Sequence, residues 1–269
     1  MSYVNKSQED IKVSIIIPSF NSKTFISESI SSVINQSYDN WELLIVDGES
    51  SDGTQEIIKK AIDLDSRIRL INNPDDSGPA QARAFGIKFC SGDLIAFLDS
   101  DDLWLPSKLE EQISFMIENN AKFTFTSYRL ISESGVVSKA ELSGWKINSY
   151  RQYLRRRGIA NSTVIVAKEC LSDSILNNVT NIMAEDTLWW LLIMKSGYKA
   201  FCLQKPLTHY RKVTGSRSSM ILENQKAVWS LYRNNLKLGR FQTFFYYLFY
   251  LIDVLLRRIK FLVANRFRA

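Results

Sequence analysis

The first hundred residues repeat one pattern, in which a short apolar run precedes a stretch with apolar side chains at helical spacing. The apolar runs, at residues 13–17, 41–46, 68–71 and 95–98, are rich in branched side chains. Such short, continuous runs are typical of strands that are buried on both faces. Strands that alternate with helices in this way form βαβ units. The sequence therefore predicts an α/β fold with a mostly parallel central sheet flanked by helices.

The fourth run leads directly into three carboxylates, Asp99, Asp101 and Asp102. Open α/β sheets bind ligands beyond the carboxyl ends of their strands. Carboxylates this close together repel, and one takes up a proton unless a cation compensates. Oxygen ligands suit Mg²⁺ or Mn²⁺, which commonly bridge a carboxylate to substrate phosphates. The cluster predicts a metal–diphosphate site, although a solvated turn, with Asp102 as a cap and Pro106 opening a helix, is the structural alternative.

The same edge of the predicted sheet collects two more charged residues. Asp47 ends the second run, and Arg83 lies in the first turn of the helix that follows the third run. Carboxylates, an arginine and helix N-termini at one edge suit a nucleotide diphosphate. Taken alone, Arg83 could equally be a surface cation.

Several other chemistries are disfavoured by the sequence. The chain has no G-x-x-x-x-G-K-[ST] loop and no G-x-G-x-x-G after a strand, and His209 is its only histidine. These absences argue against the common phosphate-binding loops and against a Cys/His zinc site. The net charge of +6 favours acidic partners. Nucleic acid is not expected among them, because the basic residues are spread out and no nucleic-acid module is visible.

Four motifs together resemble the family 2 glycosyltransferases with the GT-A fold. They are the first strand with its following loop, then residues 46–54, 78–83 and 97–102. The resemblance is close over about residues 11–106 and continues more thinly to about residue 219. It implies a Rossmann-like, mostly parallel sheet and the inverting transfer of a sugar from a nucleotide diphosphate, usually UDP.

The resemblance also implies roles for individual residues. It implies that six residues of the first half bind the nucleotide-sugar, namely Pro18, Asn21, Asp47, Arg83, Asp99 and Ser100. Among these, Pro18 and Asn21 would line the nucleotide pocket and Asp47 would contact the base. Asp99 and Asp101 would form the D-x-D element that holds Mn²⁺ or Mg²⁺, with Asp99 also beside the ribose. A divalent ion that bridges both phosphates would stabilise charge on the departing UDP.

Paired acids precede an aromatic segment in the second half of the chain. Glu185 and Asp186 come just before Trp189 and Trp190. On residue types alone, Asp186 could be a helix N-cap with both tryptophans in the core. The family often has a Glu-Asp pair here with the Asp as catalytic base, and an inverting transfer needs a carboxylate to accept the acceptor's proton. We therefore predict that Asp186 is the base and that Glu185 helps to orient it or the acceptor.

Residues 209–218 resemble the family's closing loop near the phosphates. Many members have a histidine two residues after the arginine, where this chain has Val213, so a histidine metal ligand is not implied. Arg211 and Arg217 are candidate diphosphate contacts, because guanidinium groups match phosphate oxygens. His209 is expected to be structural.

Two further stretches of the second half carry expectations. Residues 123–128 alternate like a half-exposed strand. Arg155, Arg156 and Arg157 form a basic run. This run is either a solvated helix end or a contact for the pyrophosphate of an acceptor.

The segment 241–263 combines aromatic and apolar residues with basic ones. As a membrane span it would place Arg257, Arg258 and Lys260 in the bilayer, which is costly. A helix lying in the membrane interface fits better, with its basic residues meeting anionic head groups. The alternative is a helix packed on the catalytic domain or on a partner subunit.

These observations predict a GT-A domain over residues 1–219, with a nucleotide-binding half at about 11–106 and an acceptor half at about 107–219. A helical, membrane-associated extension would follow over residues 220–269. The family context implies surface polysaccharide synthesis (O-antigen or capsule) from a UDP-sugar and a lipid-pyrophosphate-linked glycan acceptor. The polar N-terminus lacks a signal core, so the enzyme is expected on the cytoplasmic face of the cell membrane. The alternative function is a non-catalytic module that binds a nucleotide-sugar or a membrane.

Overall fold

The predicted alternation of strands and helices is present in the computed structural model, which describes residues 6–177, 185–213 and 221–266. The strands are β1 Val13–Ser19, β2 Trp41–Asp47, β3 Ile68–Asn72, β4 Leu94–Phe97, β5 Leu103–Trp104, β6 Phe123–Ser132, β7 Val137–Leu142, β8 Ile147–Asn148, β9 Ile165–Ala167 and β10 Ala200–Lys212. The helices are α1 Ile26–Ile34, α2 Thr54–Leu64, α3 Pro79–Ile87, α4 Lys108–Glu118, α5 Tyr150–Arg155, α6 Asp173–Leu176, α7 Glu185–Lys195, α8 Ile221–Ser230 and α9 Arg240–Arg266. A π-helix, Leu231–Asn235, follows α8 directly.

The first four strands form a parallel sheet in the order β3-β2-β1-β4. Every residue of β1 and β2 is buried, which explains why their sequences are apolar without alternation. In this register Ser19 lies beside Asp47, and Ile16 lies beside Phe97. The loops after β1, β2 and β4 therefore leave the sheet at the same edge.

The sheet continues without a break into the second half of the chain, in the order β4-β9-β6-β10-β5. Strands β6 and β10 run parallel, whereas β9 is antiparallel to both of its neighbours. Parallel pairing nevertheless accounts for most of the paired residues. The expected α/β fold, with a mostly parallel sheet and a C-terminal helix, is confirmed.

The expectation that residues 123–128 form a half-exposed strand is wrong. The first five residues of β6 are all buried, because the strand lies between β9 and β10 inside the sheet. Helix α7 covers one face, where the ring of Trp190 lies 5.2 Å from that of Phe123 and 5.7 Å from that of Phe97. The polar Thr124 is accommodated by a hydrogen bond from Gln112 of α4, at 3.1 Å.

Helix α9 has one face on the domain and one face in solvent. Tyr246, Tyr247 and Tyr250 pack against the core, and the ring of Tyr247 contacts Trp229 of α8 at 5.1 Å. The opposite face exposes large apolar side chains, namely Phe241, Phe244, Phe245, Leu248, Ile252, Val254, Leu255, Leu256 and Ile259. Within the described residues, no helix is long and apolar enough to cross a membrane.

Candidate functional site

The acidic turn after β4 is anchored by serines of the first βα unit. Ser29 of α1 is buried, and its hydroxyl lies 2.9 Å from the carbonyl oxygens of both Ser100 and Asp102. The hydroxyls of Ser22 and Ser100 are also 2.9 Å apart. These contacts fix the backbone of the turn, so the acids are presented in a defined arrangement.

Asp102 is buried and has a structural position within the turn. Its carboxylate accepts hydrogen bonds from Ser162 Oγ at 2.5 Å and from the backbone N–H of Arg211 at 2.7 Å. Burial, together with the charges of Asp101 and Asp99, raises the pKa of Asp102 well above its usual range. Asp102 therefore ties the turn to β10 and to the 3₁₀ helix Asn161–Thr163.

Replacing Asp102 with Ala should destabilise the fold. The change leaves the Arg211 N–H and the Ser162 hydroxyl without their acceptor, and each buried unpaired group costs about 1–3 kcal/mol. Urea unfolding should show a lower midpoint, whereas the exposed turn variant Asp75→Ala should match the wild type. An unchanged midpoint for Asp102→Ala would exclude this structural role.

A buried arginine connects the acidic turn to the paired acids of α7. Arg83 Nη2 donates to Asp99 Oδ1 at 2.6 Å, and Asn161 Nδ2 donates to the same oxygen at 3.1 Å. Burial opposes the charge of Arg83, but the attraction of Asp99, Glu185 and Asp186 outweighs it and raises the pKa of Arg83. Arg83, Asp99 and Asn161 are therefore hydrogen-bonded together, and the acid pair of α7 lies within the electrostatic range of Arg83.

Two buried polar atoms beside Asp99 are unpaired. Arg83 Nε and Asn161 Oδ1 have no hydrogen-bond partner within the described residues. Buried polar groups in proteins are nearly always paired with protein, water or ligand. Their presence here is typical of a site that binds a polar molecule.

The predicted base, Asp186, lies in the first turn of α7. Burial raises its pKa, while the charges of Arg83 and Arg157 act in the opposite direction. Asp186 Oδ1 accepts the N–H of Thr187 at 2.6 Å, and Oδ2 has no hydrogen-bond partner within the described residues. Its neighbour Glu185 is buried. Asp186 thus combines a raised pKa with an oxygen that can accept a proton.

Asp101 lies at the outer side of the turn and is half-buried. Burial and the charge of Asp99 raise the pKa of Asp101 to about 6. In the described part of the chain, no lysine or arginine forms an ion pair with its carboxylate, and no three or more His, Cys, Asp or Glu side chains cluster as a metal site. An oxygen donor whose charge is poorly compensated fits a divalent cation, and Asp99 offers a second donor beside it.

The predicted nucleotide residues lie along the same edge. Pro18 is buried beside Val46, and Asn21, with φ of 48°, donates its N–H to Ser50 Oγ at 2.8 Å. Asp47 is buried and accepts hydrogen bonds from Ser50 Oγ at 2.6 Å and from Gln55 Nε2 at 2.8 Å. The hydroxyl of Ser50 therefore joins the loop after β1, through the N–H of Asn21, to the carboxylate at the end of β2.

Sequence reasoning missed Asp76, which lies against this loop pair. A Cβ at Gly48 would lie 2.5 Å from Asp76 Oδ2, so only glycine allows this approach. Burial and the charge of Asp47 raise the pKa of Asp76. The sequence shows Asp76 only as part of a turn-rich loop, and no signal in it indicates the contact.

Arg211 is buried, and its guanidinium is fully engaged with protein groups. Nε donates to the carbonyl of Asp101 at 2.7 Å, and Nη2 pairs with Glu28 at 2.8 Å. Nη1 donates to the carbonyl of Ser132 at 3.3 Å, and the group lies over Phe25 at 4.4 Å. In this structure Arg211 holds the acidic turn against α1.

The expected closing loop is partly strand, since β10 extends to Lys212 and so includes His209 and Arg211. His209 is half-buried opposite Leu103, and burial and Arg129 lower its pKa. The other predicted diphosphate contact, Arg217, lies outside the described residues.

Comparison with known proteins shows the family to which the chain belongs. The sequence profile described as "Glycosyl transferase family 2" matches residues 14–176. The chain is 34% identical over 221 residues to a protein of Bacillus subtilis named putative teichuronic acid biosynthesis glycosyltransferase TuaG, covering 82% of this chain and 87% of the relative. It is 39% identical over 224 residues to the Escherichia coli UDP-Glc:alpha-D-GlcNAc-diphosphoundecaprenol beta-1,3-glucosyltransferase WfgD, covering 83% and 86%.

Solved structures share the fold at low sequence identity. S. aureus TarS 1–349 in complex with UDP-GlcNAc matches with a TM-score of 0.66 and 21% identity, over 83% of this chain and 67% of that one. The mannosyltransferase PcManGT of Pyrobaculum calidifontis, in complex with GDP-Man and Mn²⁺, matches with a TM-score of 0.66 and 16% identity, over 85% and 65%. The chain belongs to glycosyl transferase family 2 and has the GT-A fold.

Proposed function

We propose that the protein transfers a sugar, with inversion, from a UDP-sugar to a glycan acceptor that is linked to a lipid through a diphosphate. The observation that carries this proposal is the buried Arg83, which is hydrogen-bonded to Asp99 of the acidic turn and lies within the electrostatic range of the acid pair of α7. A carboxylate for the donor and a carboxylate for the acceptor would then both lie within the electrostatic range of one buried cation. The names of WfgD and TuaG support a role in surface polysaccharide synthesis.

On the donor side, Asp101 and Asp99 would hold Mn²⁺ or Mg²⁺. Sites of this kind complete the metal's coordination with water and substrate phosphates. The bound ion supplies positive charge that stabilises the departing nucleoside diphosphate. Pro18, Asn21 and Asp47 lie at the same edge of the sheet, where the uridine would bind.

On the acceptor side, Asp186 would accept the proton of the attacking hydroxyl. The hydroxyl oxygen forms a bond to the anomeric carbon from the face opposite the diphosphate. The bond from that carbon to the diphosphate oxygen breaks, and UDP leaves with the electron pair. A single displacement of this kind inverts the anomeric configuration, and the raised pKa of Asp186 brings the base closer to neutral pH.

Arg83 would position both reacting sides. Its bond to Asp99 holds that acid beside the donor, and its positive charge opposes protonation of Asp186. Because Arg83 is buried, its electrostatic effect on the neighbouring acids is screened little by solvent.

Nucleotide binding tests the donor assignment. Calorimetry with UDP, GDP, CDP and ADP, each with and without Mn²⁺, should show the tightest binding for UDP with the metal. Equal affinity for all four nucleotides, or tighter binding of another nucleotide, would overturn the choice of UDP.

We further propose that α9 lies on the surface of the membrane that carries the acceptor. Its outer face exposes Phe241, Phe244 and Leu248, its first residue is the exposed Arg240, and the preceding turn adds the exposed Lys237. Apolar side chains beside basic ones suit the interface of an anionic membrane. Because the inner face of α9 packs on the domain, binding would orient the site towards a lipid-linked acceptor.

The double variant Phe241→Ser/Phe244→Ser should release the protein from anionic vesicles. A fully buried Phe side chain contributes about 1.5–3 kcal/mol, and about 1.4 kcal/mol is tenfold in affinity. Sedimentation should therefore show at least about tenfold weaker binding, while Leu64→Ser/Val136→Ser, which also removes exposed apolar side chains, should bind normally. Equal sedimentation of the two variants would show that this face does not bind lipid.

A further inference from the structure

Lys108, the first residue of α4, is fully buried without a carboxylate partner. Its Nζ donates to Gln112 Oε1 at 2.9 Å and lies 4.1 Å from the ring centroid of Trp104. Among the described residues, no Asp or Glu forms a salt bridge with it. Burial therefore lowers the pKa of Lys108 well below its usual range.

This placement of Lys108 is unfavourable for stability. A buried amine that is ionised without a partner costs free energy, and the positive end of a helix dipole disfavours a cation in the first turn. Residues that break several local rules of stability at once often serve function. In the described part of the chain, the polar contacts of its side chain are with Gln112 and Trp104 rather than with an acid of the candidate site. Lys108 can therefore act on that site only through these two residues.

The two residues that touch Lys108 hold consecutive carbonyls of the 3₁₀ helix that contacts the acidic turn. Trp104 Nε1 donates to the carbonyl of Ser162 at 2.7 Å. Gln112 Nε2 donates to the carbonyl of Thr163 at 3.1 Å. Because an amine donates to an acceptor, Lys108 keeps Oε1 of the Gln112 amide towards itself and Nε2 towards the 3₁₀ helix. The same amine contacts the Trp104 ring, so one side chain supports both donors.

The side chains of the same 3₁₀ helix hold the acidic turn. Ser162 Oγ donates to Asp102 Oδ2 at 2.5 Å and accepts the N–H of Asp99 at 3.0 Å. Asn161 Nδ2 donates to Asp99 Oδ1 at 3.1 Å. The 3₁₀ helix is thus held through its carbonyls on one side, and it holds both ends of the acidic turn through its side chains.

We propose that Lys108 is a positioning residue for the metal-binding acids. By holding Gln112 and Trp104 against the 3₁₀ helix, it fixes the position at which that helix presents Asp99 to the metal. This inference rests on the proposed function, because it assumes that Asp99 and Asp101 bind a divalent cation. The unfavourable burial of the amine then serves the geometry of the acidic turn rather than the stability of the fold.

Two variants separate positioning from stability. Lys108→Met keeps an unbranched side chain but cannot donate, and Gln112→Glu keeps the acceptor for the amine but removes the donor to Thr163. The control, Lys60→Met, makes the same change at an exposed lysine of α2. Urea unfolding should show nearly the same midpoint for Lys108→Met and the wild type, because the loss of a hydrogen bond is offset by the removal of a costly buried amine.

Amide hydrogen exchange measures the acidic turn without metal, nucleotide or turnover. The N–H of Asp99 donates to Ser162 Oγ, and that of Arg211 donates to Asp102 Oδ1 at 2.7 Å. Both bonds depend on the position of the 3₁₀ helix, because Ser162 contacts both acids. Exchange at these two amides therefore reports that position, while the amides of β1 report the stability of the sheet.

We expect the two reporting amides to exchange about tenfold faster in Lys108→Met and in Gln112→Glu, since the loss of one hydrogen bond is a change of about that size. The amides of β1 should keep their protection in both variants, and Lys60→Met should match the wild type at every amide. Faster exchange spread evenly over β1 and the turn would show a general loss of stability. Unchanged exchange at the turn would show that Lys108 does not position it, and either result would overturn the proposal.

Calorimetry with UDP then tests whether this position matters for the metal. Replacing a residue that supports a metal ligand typically lowers metal affinity about 10–100-fold. The gain in UDP affinity on adding Mn²⁺ should therefore be about tenfold smaller in Lys108→Met than in the wild type and in Lys60→Met. An equal gain in all three proteins would overturn the proposal. If the wild type itself showed no gain, the proposed metal site would be wrong, and the exchange at the turn would still decide whether Lys108 positions it.

Discussion

Asp186→Asn should lose nearly all transfer while it still binds the UDP-sugar. The amide keeps the shape of the side chain and an oxygen for the Thr187 N–H, but it cannot accept the proton of the acceptor hydroxyl. Loss of a general base typically costs about 10²–10⁴ in rate. Turnover assays should show this loss in kcat, while calorimetry should show nearly unchanged affinity for the UDP-sugar.

The matched control for this variant is Asp173→Asn. Asp173 is an exposed acid in the first turn of α6, so the same substitution there removes a charge without touching the site. Its turnover should equal that of the wild type. If Asp186→Asn also retained near-full turnover, Asp186 would be only a residue of the first helical turn and the base would lie elsewhere.

The pH dependence of the wild type follows from the same residue. Burial raises the pKa of Asp186, and a general base must be deprotonated to act. The rate should therefore fall as the pH drops through that raised pKa, at a higher pH than an ordinary Asp would give. If the pH–rate profile instead fell only at the pKa of an ordinary Asp, it would contradict a raised pKa for Asp186.

Asp101→Ala should abolish the metal-dependent part of UDP binding. Replacing a residue that only hydrogen-bonds to a metal ligand typically lowers metal affinity about 10–100-fold. Replacing a direct ligand should therefore lower it at least as much. Calorimetry with UDP should show tighter binding when Mn²⁺ is added to the wild type and no such gain for Asp101→Ala. The exposed turn variant Asp75→Ala should respond to Mn²⁺ as the wild type does.

A metal effect on UDP binding that survives the substitution would contradict this prediction. If Mn²⁺ raised the UDP affinity of Asp101→Ala as much as that of the wild type, Asp101 would not be a metal ligand. The raised pKa of Asp101 would then reflect only burial and repulsion from Asp99.

The parallel half of the fold could be predicted because its strands have local signatures. β1 and β2 are buried on both faces, so their apolar runs mark them directly in the sequence. The edge position of Asp99 follows from the end of one such run. The convergence of Arg83 with Asp186 does not follow from any pattern, because the two residues are far apart in sequence. The resemblance to the family implies a role for each residue but does not predict that the two lie near each other.

Other features depend on contacts between distant residues. Thr124 looks like an exposed strand position, but a hydrogen bond from Gln112 allows it to be buried. Asp102 looks like a third metal ligand, but Ser162 and the N–H of Arg211 occupy its carboxylate. Arg157 belongs to a basic run that could have been a solvated helix end, but it contacts the rings of Tyr232 in the π-helix and Tyr250 in α9. In each case the partner decides the role.

We propose that this protein joins a metal-dependent UDP-sugar site to a base for a diphosphate-linked acceptor. The most direct test measures UDP release from a panel of UDP-sugars in the presence of Mn²⁺ and a short-chain lipid-diphosphate sugar. We expect one donor to give rapid release, and we expect omission of either the metal or the acceptor to reduce release to background. Release that is equally fast without the acceptor or without the metal, or no release from any UDP-sugar, would contradict it.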